Sequence, residues 1–408
     1  MDLNFKKYIS PVLGKSLSVL FTLYFTYIIT NNFNNTDSSF LFLTFSIIQF
    51  YIIFARFGQD QILVKKLGGA IDIHNTYSIN TISSFLIITI ISLVFILLNI
   101  FLSDLFYIHF FNIHIPIFVF YSIFPLAMIW GFVGVLRYFN FQFLSNFYEN
   151  GLFYSIFIIG TFCVYTKPIN YLYLFLFSSI ISFALISIQL YIKGFRLNFS
   201  MLNKLDEIKS SRNITMSTLG SFLIINLPLY LAAFFGYNEH IVLYAVCIKI
   251  SFLISVGSGV IASIYAPIYS KHNHLKDNTN LRRSYNKSRR EIIAISFLVL
   301  LFVYIFSIFI LKFFNLVANE NNILLVRLFC FAQFLCVSTG NTGLILNITS
   351  NDRYLRNYTY IGLVISFVFC LFYIQTHPSI AMLISYSIGI IFENFLSLMK
   401  VNRCLKKK

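Results

Sequence analysis

The chain is poor in charge. Of its 408 residues only 11% are Asp, Glu, Lys or Arg, where a soluble domain carries roughly 25%. That excludes a soluble globular protein, and a hydrophobic share of 58% excludes a disordered one. Long polar stretches are missing as well, which leaves no room for a large soluble domain. No H-E-x-x-H, G-x-S-x-G or G-x-x-x-x-G-K-[ST] occurs. Without a P-loop the chain is no ATP-driven pump by itself; neither catalytic residues nor a cofactor is expected. The seven histidines fall almost entirely in gaps between apolar runs, and His272 with His274, two residues apart, makes a poor metal site. The six cysteines contain no C-x-x-C pair and are expected to pack in apolar helices rather than to bind metal. No A-x-A-like cleavage site follows the first apolar stretch, so that stretch is expected to remain as a signal anchor.

What the chain has in plenty is apolar length. A membrane-spanning helix takes about 20 mostly apolar residues. Twelve runs qualify, at residues 9–30, 40–64, 77–101, 114–136, 147–166, 170–192, 214–236, 240–266, 291–313, 322–347, 357–375 and 379–400. The expected fold is all-α: a polytopic membrane protein with twelve transmembrane helices in two six-helix lobes, 1–205 and 206–408. A weak echo relates the halves, since the fourth run holds Gly131 and Gly134 and the tenth holds Gly340 and Gly343. Pro125, Pro228 and Pro267 lie inside predicted helices and are expected to kink them.

The net charge of +16 is placed by topology rather than by a folded basic face, which argues against nucleic acid. The N-terminal segment and every second gap hold 25 of the 30 basic residues, among them Lys15, Lys65, Lys66, Arg137, Lys193, Arg196, Lys204 and the stretch from Lys271 to Arg290. The alternate gaps hold two, Lys167 and Lys312. By the positive-inside rule this split supports twelve spans with both termini cytoplasmic, in a bacterial inner membrane. External gaps are short, the longest being near Asp104 to His114. A membrane glycan polymerase or glycosyltransferase needs more outside chain than that.

Arg56, Lys249 and Arg327 remain, each inside a run. A cation at a helix centre costs about 2.5–3.5 kcal/mol, so these side chains are expected to face protein or a wet cavity. Gln49, Arg56 and Asp60 share one face if the second run is a continuous helix. Arg327, Ser338 and Asn341 do likewise in the tenth. Asn226 just before Pro228 marks a bend or gating point. Glu393 is the one acid well inside a run, able to pair with a base or to carry a proton. Three positive groups against one negative predict a cavity that attracts an anion such as a diphosphate.

Three stretches resemble a known family: Tyr244-Ala-Val-Cys-Ile-Lys249-Ile-Ser-Phe-Leu-Ile-Ser with Ala266-Pro267-Ile-Tyr-Ser270; Ser338-Thr-Gly340-Asn341-Thr-Gly343-Leu-Ile-Leu-Asn347; and Phe57-Gly58-Gln-Asp60-Gln-Ile-Leu-Val. They are similar to the Wzx-type polysaccharide flippases of the multidrug/oligosaccharidyl-lipid/polysaccharide (MOP) exporter superfamily. The resemblance implies a two-lobe alternating-access transporter that moves undecaprenyl-diphosphate-linked repeat units across the inner membrane for O-antigen or capsule assembly. It implies a lipid-linked oligosaccharide as cargo, with a polysaccharide polymerase and a chain-length regulator as partners. Arg56, Lys249 and Arg327 would hold the diphosphate, and either a proton or sodium gradient or removal of the product would supply the energy. In this superfamily the seventh helix often carries Asn followed by Asp; here Asn226 is followed by Leu227, Pro228 and Leu229. The rival readings are a cation-coupled multidrug exporter of the same superfamily, a membrane polysaccharide polymerase, and an accessory membrane protein without transport activity.

Overall fold

A computed structural model describes residues 5–62, 84–101, 107, 114–138, 141–192 and 206–406. Lys65, Lys66, His74, Asp104, His109, Lys193, Arg196, Lys204, Lys407 and Lys408 lie outside the described residues, as does the start of the third run at 77–83. The described chain is helical almost throughout. In hydrocarbon no water replaces a lost backbone hydrogen bond, so a spanning segment satisfies its peptide groups internally.

The helices follow the runs. They are α1 (Phe5–Asn32), α2 (Asn35–Arg56), α3 (Ser84–Phe101), α4 (Ile123–Tyr138, led in by a 3₁₀ turn Ile117–Ser122), α5 (Gln142–Tyr148) and α6 (Gly151–Thr161). After these come α7 (Pro168–Ile192), α8 (Asp206–Phe234), α9 (Asn238–His274), α10 (Asn278–Phe313), α11 (Glu320–Val337), α12 (Thr342–Ile348), α13 (Asp352–Tyr373) and α14 (Pro378–Lys406). Among the described residues, eleven helical segments are long and apolar enough to cross a membrane. The fifth run is the exception: it holds the short apolar α6, set off from α5 by a turn at Glu149 and Asn150. The protein is a multi-pass membrane protein.

Local chemistry fixes the ends. Asn34, Asp277 and Asn319 accept the backbone N–H of Asp37, Asn280 and Asn322 and so cap α2, α10 and α11. Pro168 and Pro378 open α7 and α14, where a missing N–H costs nothing. Pro125 is also harmless: it sits in the first turn of α4 and does not kink a helix interior as expected. Pro228 and Pro267 do lie within helices, and so does Pro11 in α1. Cys163 differs from expectation too, being exposed in the turn after α6, whereas Cys247, Cys330, Cys336 and Cys370 are buried.

The chain divides into two compact units, Met1–Phe25 with Thr44–Thr215 and Thr26–Leu43 with Met216–Lys408. In the first, Gly14 lets α1 meet α5: a Cβ there would stand 2.5 Å from the Phe143 carbonyl oxygen. Asn146 donates to the Pro11 carbonyl at 3.1 Å across the same contact. In the second, α13 and α14 pack along their length with Gly362 against Gly389, where a Cβ on Gly362 would lie 2.6 Å from the Gly389 carbonyl oxygen. Small residues permit such approach where lipid supplies no hydrophobic drive between helices. In α10 the sides are inverted relative to a soluble helix. Leu298, Phe302, Ile305 and Phe309 are exposed, while Ser288, Ser296 and Ser307 are buried.

The basic stretch from Lys271 to Arg290, which reads from sequence as a gap, is mostly helix. At 37 and 36 residues α9 and α10 are each about 55 Å long at 1.5 Å per residue. That exceeds the ~30 Å hydrocarbon core, so the charged ends continue as a hairpin outside it.

These contacts can be tested by substitution. Gly362→Val is expected to destabilise the protein by about 1–3 kcal/mol through overpacking, seen as a lower unfolding temperature in detergent. Gly343→Ala, whose Cβ would meet only Leu355 methyls at 3.6 and 3.8 Å, leaves it unchanged or slightly raised. At the hairpin turn, the Asn280 backbone N–H, helped by Thr279, holds the Asp277 carboxyl at about 2, below its ordinary 3.8. A depressed carboxylate contributes its stability above the ordinary value and loses it as pH falls through the folded one. In Asp277→Ala, amide exchange in the first turn of α10 should therefore exceed wild type at pH 7, and the difference should vanish between pH of about 4 and about 2.

Candidate functional site

Arg56 closes α2. The next two residues, Phe57 and Gly58, have φ of 45° and 63° and make the turn that ends the helix before a separate helical segment at 59–62. The single face expected for Gln49, Arg56 and Asp60 therefore does not continue through Asp60, because the helix breaks between them. Gln49 lies half-buried on α2. The break is tightly built. Gln59, fully buried, donates to Ser211 at 2.9 Å and accepts from Ser84 at 2.8 Å, and Ser211 also donates to the Phe57 carbonyl. Gly134 of α4 fits against the Asp60 backbone, where a Cβ would stand 3.0 Å from the Asp60 carbonyl oxygen. Asp60 thereby comes back beside Arg56, with Nη1 to Oδ2 at 3.8 Å. The guanidinium lies over the Trp130 ring, 4.6 Å from its centroid.

The same unit holds a charge cluster that the sequence alone does not reveal. Glu149, in the turn between α5 and α6, meets Lys15 of α1 at 2.7 Å and Arg137 of α4 at 3.2 Å, both through Oε2. From the sequence, Lys15 and Arg137 read as topological charges. Lys15 and Glu149 are 134 positions apart, so spacing gives no signal.

In the second unit, Glu393 of α14 is 8% exposed and accepts hydrogen bonds from Ser221 of α8 at 2.7 Å and Thr359 of α13 at 2.8 Å. Gly220 brings α8 and α13 together at that level, since a Cβ there would sit 2.5 Å from a Thr359 methyl. Among the described residues Glu393 has no basic partner. Arg327 is tied to α10, donating to the Tyr304 carbonyl at 3.1 Å and to Ser307 at 3.3 Å with its guanidinium near the Tyr304 ring. Lys249 is half-buried on α9 and makes no hydrogen bond or ion pair among the described residues. Asn226 donates to the Phe222 carbonyl one turn back. The Ile225 carbonyl, close to the Pro228 kink, accepts the Tyr244 hydroxyl at 2.6 Å.

The tenth run also breaks. Gly340, with φ of 81°, stands between α11 and α12, so Arg327, Ser338 and Asn341 do not share one continuous helical face. Tyr285 donates to the Thr339 carbonyl at 2.6 Å and Arg289 to the Ser338 carbonyl at 2.7 Å. Asn341 accepts from Ser258 at 3.0 Å, while its own amide nitrogen is buried without a partner. The glycine echo is one of sequence only. Gly131 and Gly134 pack inside a continuous α4, and Gly340 makes a turn.

No family model matches the chain, and no curated protein does. Solved structures match in fold. The MATE multidrug transporter DinF-BH, solved with a bound ligand, superposes with a TM-score of 0.77 at 12% identity, over 98% of this chain and 94% of that one. An outward-facing multidrug resistance MATE family transporter of the MOP superfamily gives 0.74 at 13%, over 98% and 94%. A mutant of the Vibrio cholerae MATE transporter VcmN gives 0.72 at 12%, over 99% and 96%. This chain has their fold.

Glu149→Gln leaves Lys15 and Arg137 without a counter-charge. Stripping one partner from a fully buried pair costs about 3–5 kcal/mol. With Arg137 retaining 28% exposure, about 1–3 kcal/mol is expected after screening. A thermal-unfolding comparison should show that loss, and adding Lys15→Met should recover part of it.

Proposed function

We propose that the chain is a cation-coupled exporter working by alternating access between lobes 1–205 and 206–408, in a bacterial inner membrane with both termini in the cytoplasm. The observation that carries this reading is Glu393, a buried carboxylate held by two hydroxyls and, among the described residues, by no base. A carboxylate so placed can take up and release a proton or a sodium ion as its surroundings change, the two hydroxyls orienting it in either state. The MATE-type fold supports this reading, and so does the placement of two of the cations: Arg56 has Asp60 as a counter-charge beside it, and Arg327 is turned onto the Tyr304 carbonyl and the Ser307 hydroxyl of α10. The cargo under this reading is an amphipathic organic molecule of the multidrug kind.

A second reading, a flippase for lipid-linked oligosaccharide serving a polysaccharide polymerase and a chain-length regulator, is favoured by Lys249. It is the intramembrane cation with no partner among the described residues, fit to meet a diphosphate. Asn226, Pro228 and Asn341 would serve either reading as bending points of the second lobe.

The coupling test uses purified protein in vesicles under an imposed proton or sodium gradient. Glu393→Gln should abolish gradient-driven accumulation of cargo while equilibrium exchange persists. Undiminished accumulation in that variant would sink the coupling role. The cargo test uses cells lacking the protein. Retention of cationic dyes supports the exporter; repeat units trapped on the cytoplasmic face support the flippase.

A further inference from the structure

The polar groups around the end of α2 are matched, with one exception. Gln59 uses both ends of its amide, and the Phe57 carbonyl has Ser211. Arg56 and Asp60 are different. Arg56 is 8% exposed, yet among the described residues no hydrogen bond reaches its five donors. Its approach to Asp60 at 3.8 Å is beyond hydrogen-bond length. Asp60 is 3% exposed, and its Oδ1 is buried with no partner. Burying an ion pair whose guanidinium donors and carboxylate Oδ1 lack hydrogen-bond partners is costly. The fold nonetheless holds them there, with Gly58 and Gly134 shaped to bring Asp60 back.

We infer that Arg56, Asp60 and Trp130 form a binding subsite for a neutral ring bearing adjacent hydroxyls. The chemistry follows from what is unmatched. One hydroxyl donates to Asp60 Oδ1, its neighbour accepts from the Arg56 guanidinium, and the C–H edge of the ring lies against the Trp130 indole. A bare diphosphate satisfies Arg56 but is repelled by Asp60, and an organic cation meets the reverse problem. A hydroxylated ring satisfies both. This deepens the second reading above, placing the sugar end of a cargo in the first unit, and it is independent of the coupling assigned to Glu393.

Trp130 is the one tryptophan in the chain, so intrinsic tryptophan emission reports this subsite alone. The full-length protein in nanodiscs would be titrated with N-acetylglucosamine, inorganic pyrophosphate and tetraphenylphosphonium. A saturable emission change with the sugar is expected. It should weaken at least about tenfold in Asp60→Asn and in Arg56→Lys, the scale of a lost charged hydrogen bond. Cys163→Ser, at an exposed position in the turn after α6, should bind the sugar as wild type does, and the titration is run without an ion gradient, which separates this site from the coupling reading. Saturation by pyrophosphate or tetraphenylphosphonium with no response to sugar overturns the proposal, as does unchanged sugar binding in a folded Asp60→Asn. Should both variants fail to fold, the wild-type preference among the three probes still decides.

Discussion

An unpaired peptide group in hydrocarbon costs several kcal/mol, so a spanning chain either stays helical or repairs each place where it does not. The repairs in this protein are specific. At Phe57 and Gly58 the opened backbone is met by Ser211, and at Thr339 by the Tyr285 hydroxyl. Arg289 covers the Ser338 carbonyl beside Gly340. Each repair brings a polar side chain to the break, and several of the polar residues described above stand next to these points. Arg56 and Asp60 flank the break in the second run, Glu149 sits in the break of the fifth, and Asn341 follows the break of the tenth.

Close packing does the remaining positioning. Gly220 admits α13 to α8, and Gly362 with Gly389 draws α13 onto α14. Glu393 is placed where these three helices meet, so two hydroxyls reach one carboxylate oxygen with no charged partner among the described residues. The buried serines of α10 serve the same close approach, as when Ser296 donates to the Ile254 carbonyl of α9 at 2.8 Å. In lipid, such hydrogen bonds and tight contacts replace the hydrophobic drive that assembles a soluble core.

Much of the architecture was legible in the sequence, because apolar length and alternating basic gaps are one-dimensional signals. Even so, the fifth run looked like the others, since its apolar content hides the turn at Glu149 and Asn150. The candidate site was legible only in its members. Arg56, Lys249, Arg327 and Glu393 stood out as charges in apolar runs, but their partners were not readable. Helical-wheel arithmetic assumed unbroken helices, and the left-handed residues at Phe57, Gly58 and Gly340 invalidate it beyond those points. Trp130 and Glu149 matter through contacts with residues far along the chain, which periodicity cannot show.

The length of α10 has a mechanical consequence. Its 36 residues contain neither glycine nor proline, so the helix has no ready hinge between the bilayer and its charged end. About 25 Å of it projects beyond a ~30 Å hydrocarbon layer. A rigid-body tilt of about 10° inside the membrane then sweeps the tip by roughly 4 Å, simple leverage over that projecting length. Small rearrangements among the buried helices are thereby magnified into a displacement at the aqueous surface, where another molecule can sense them.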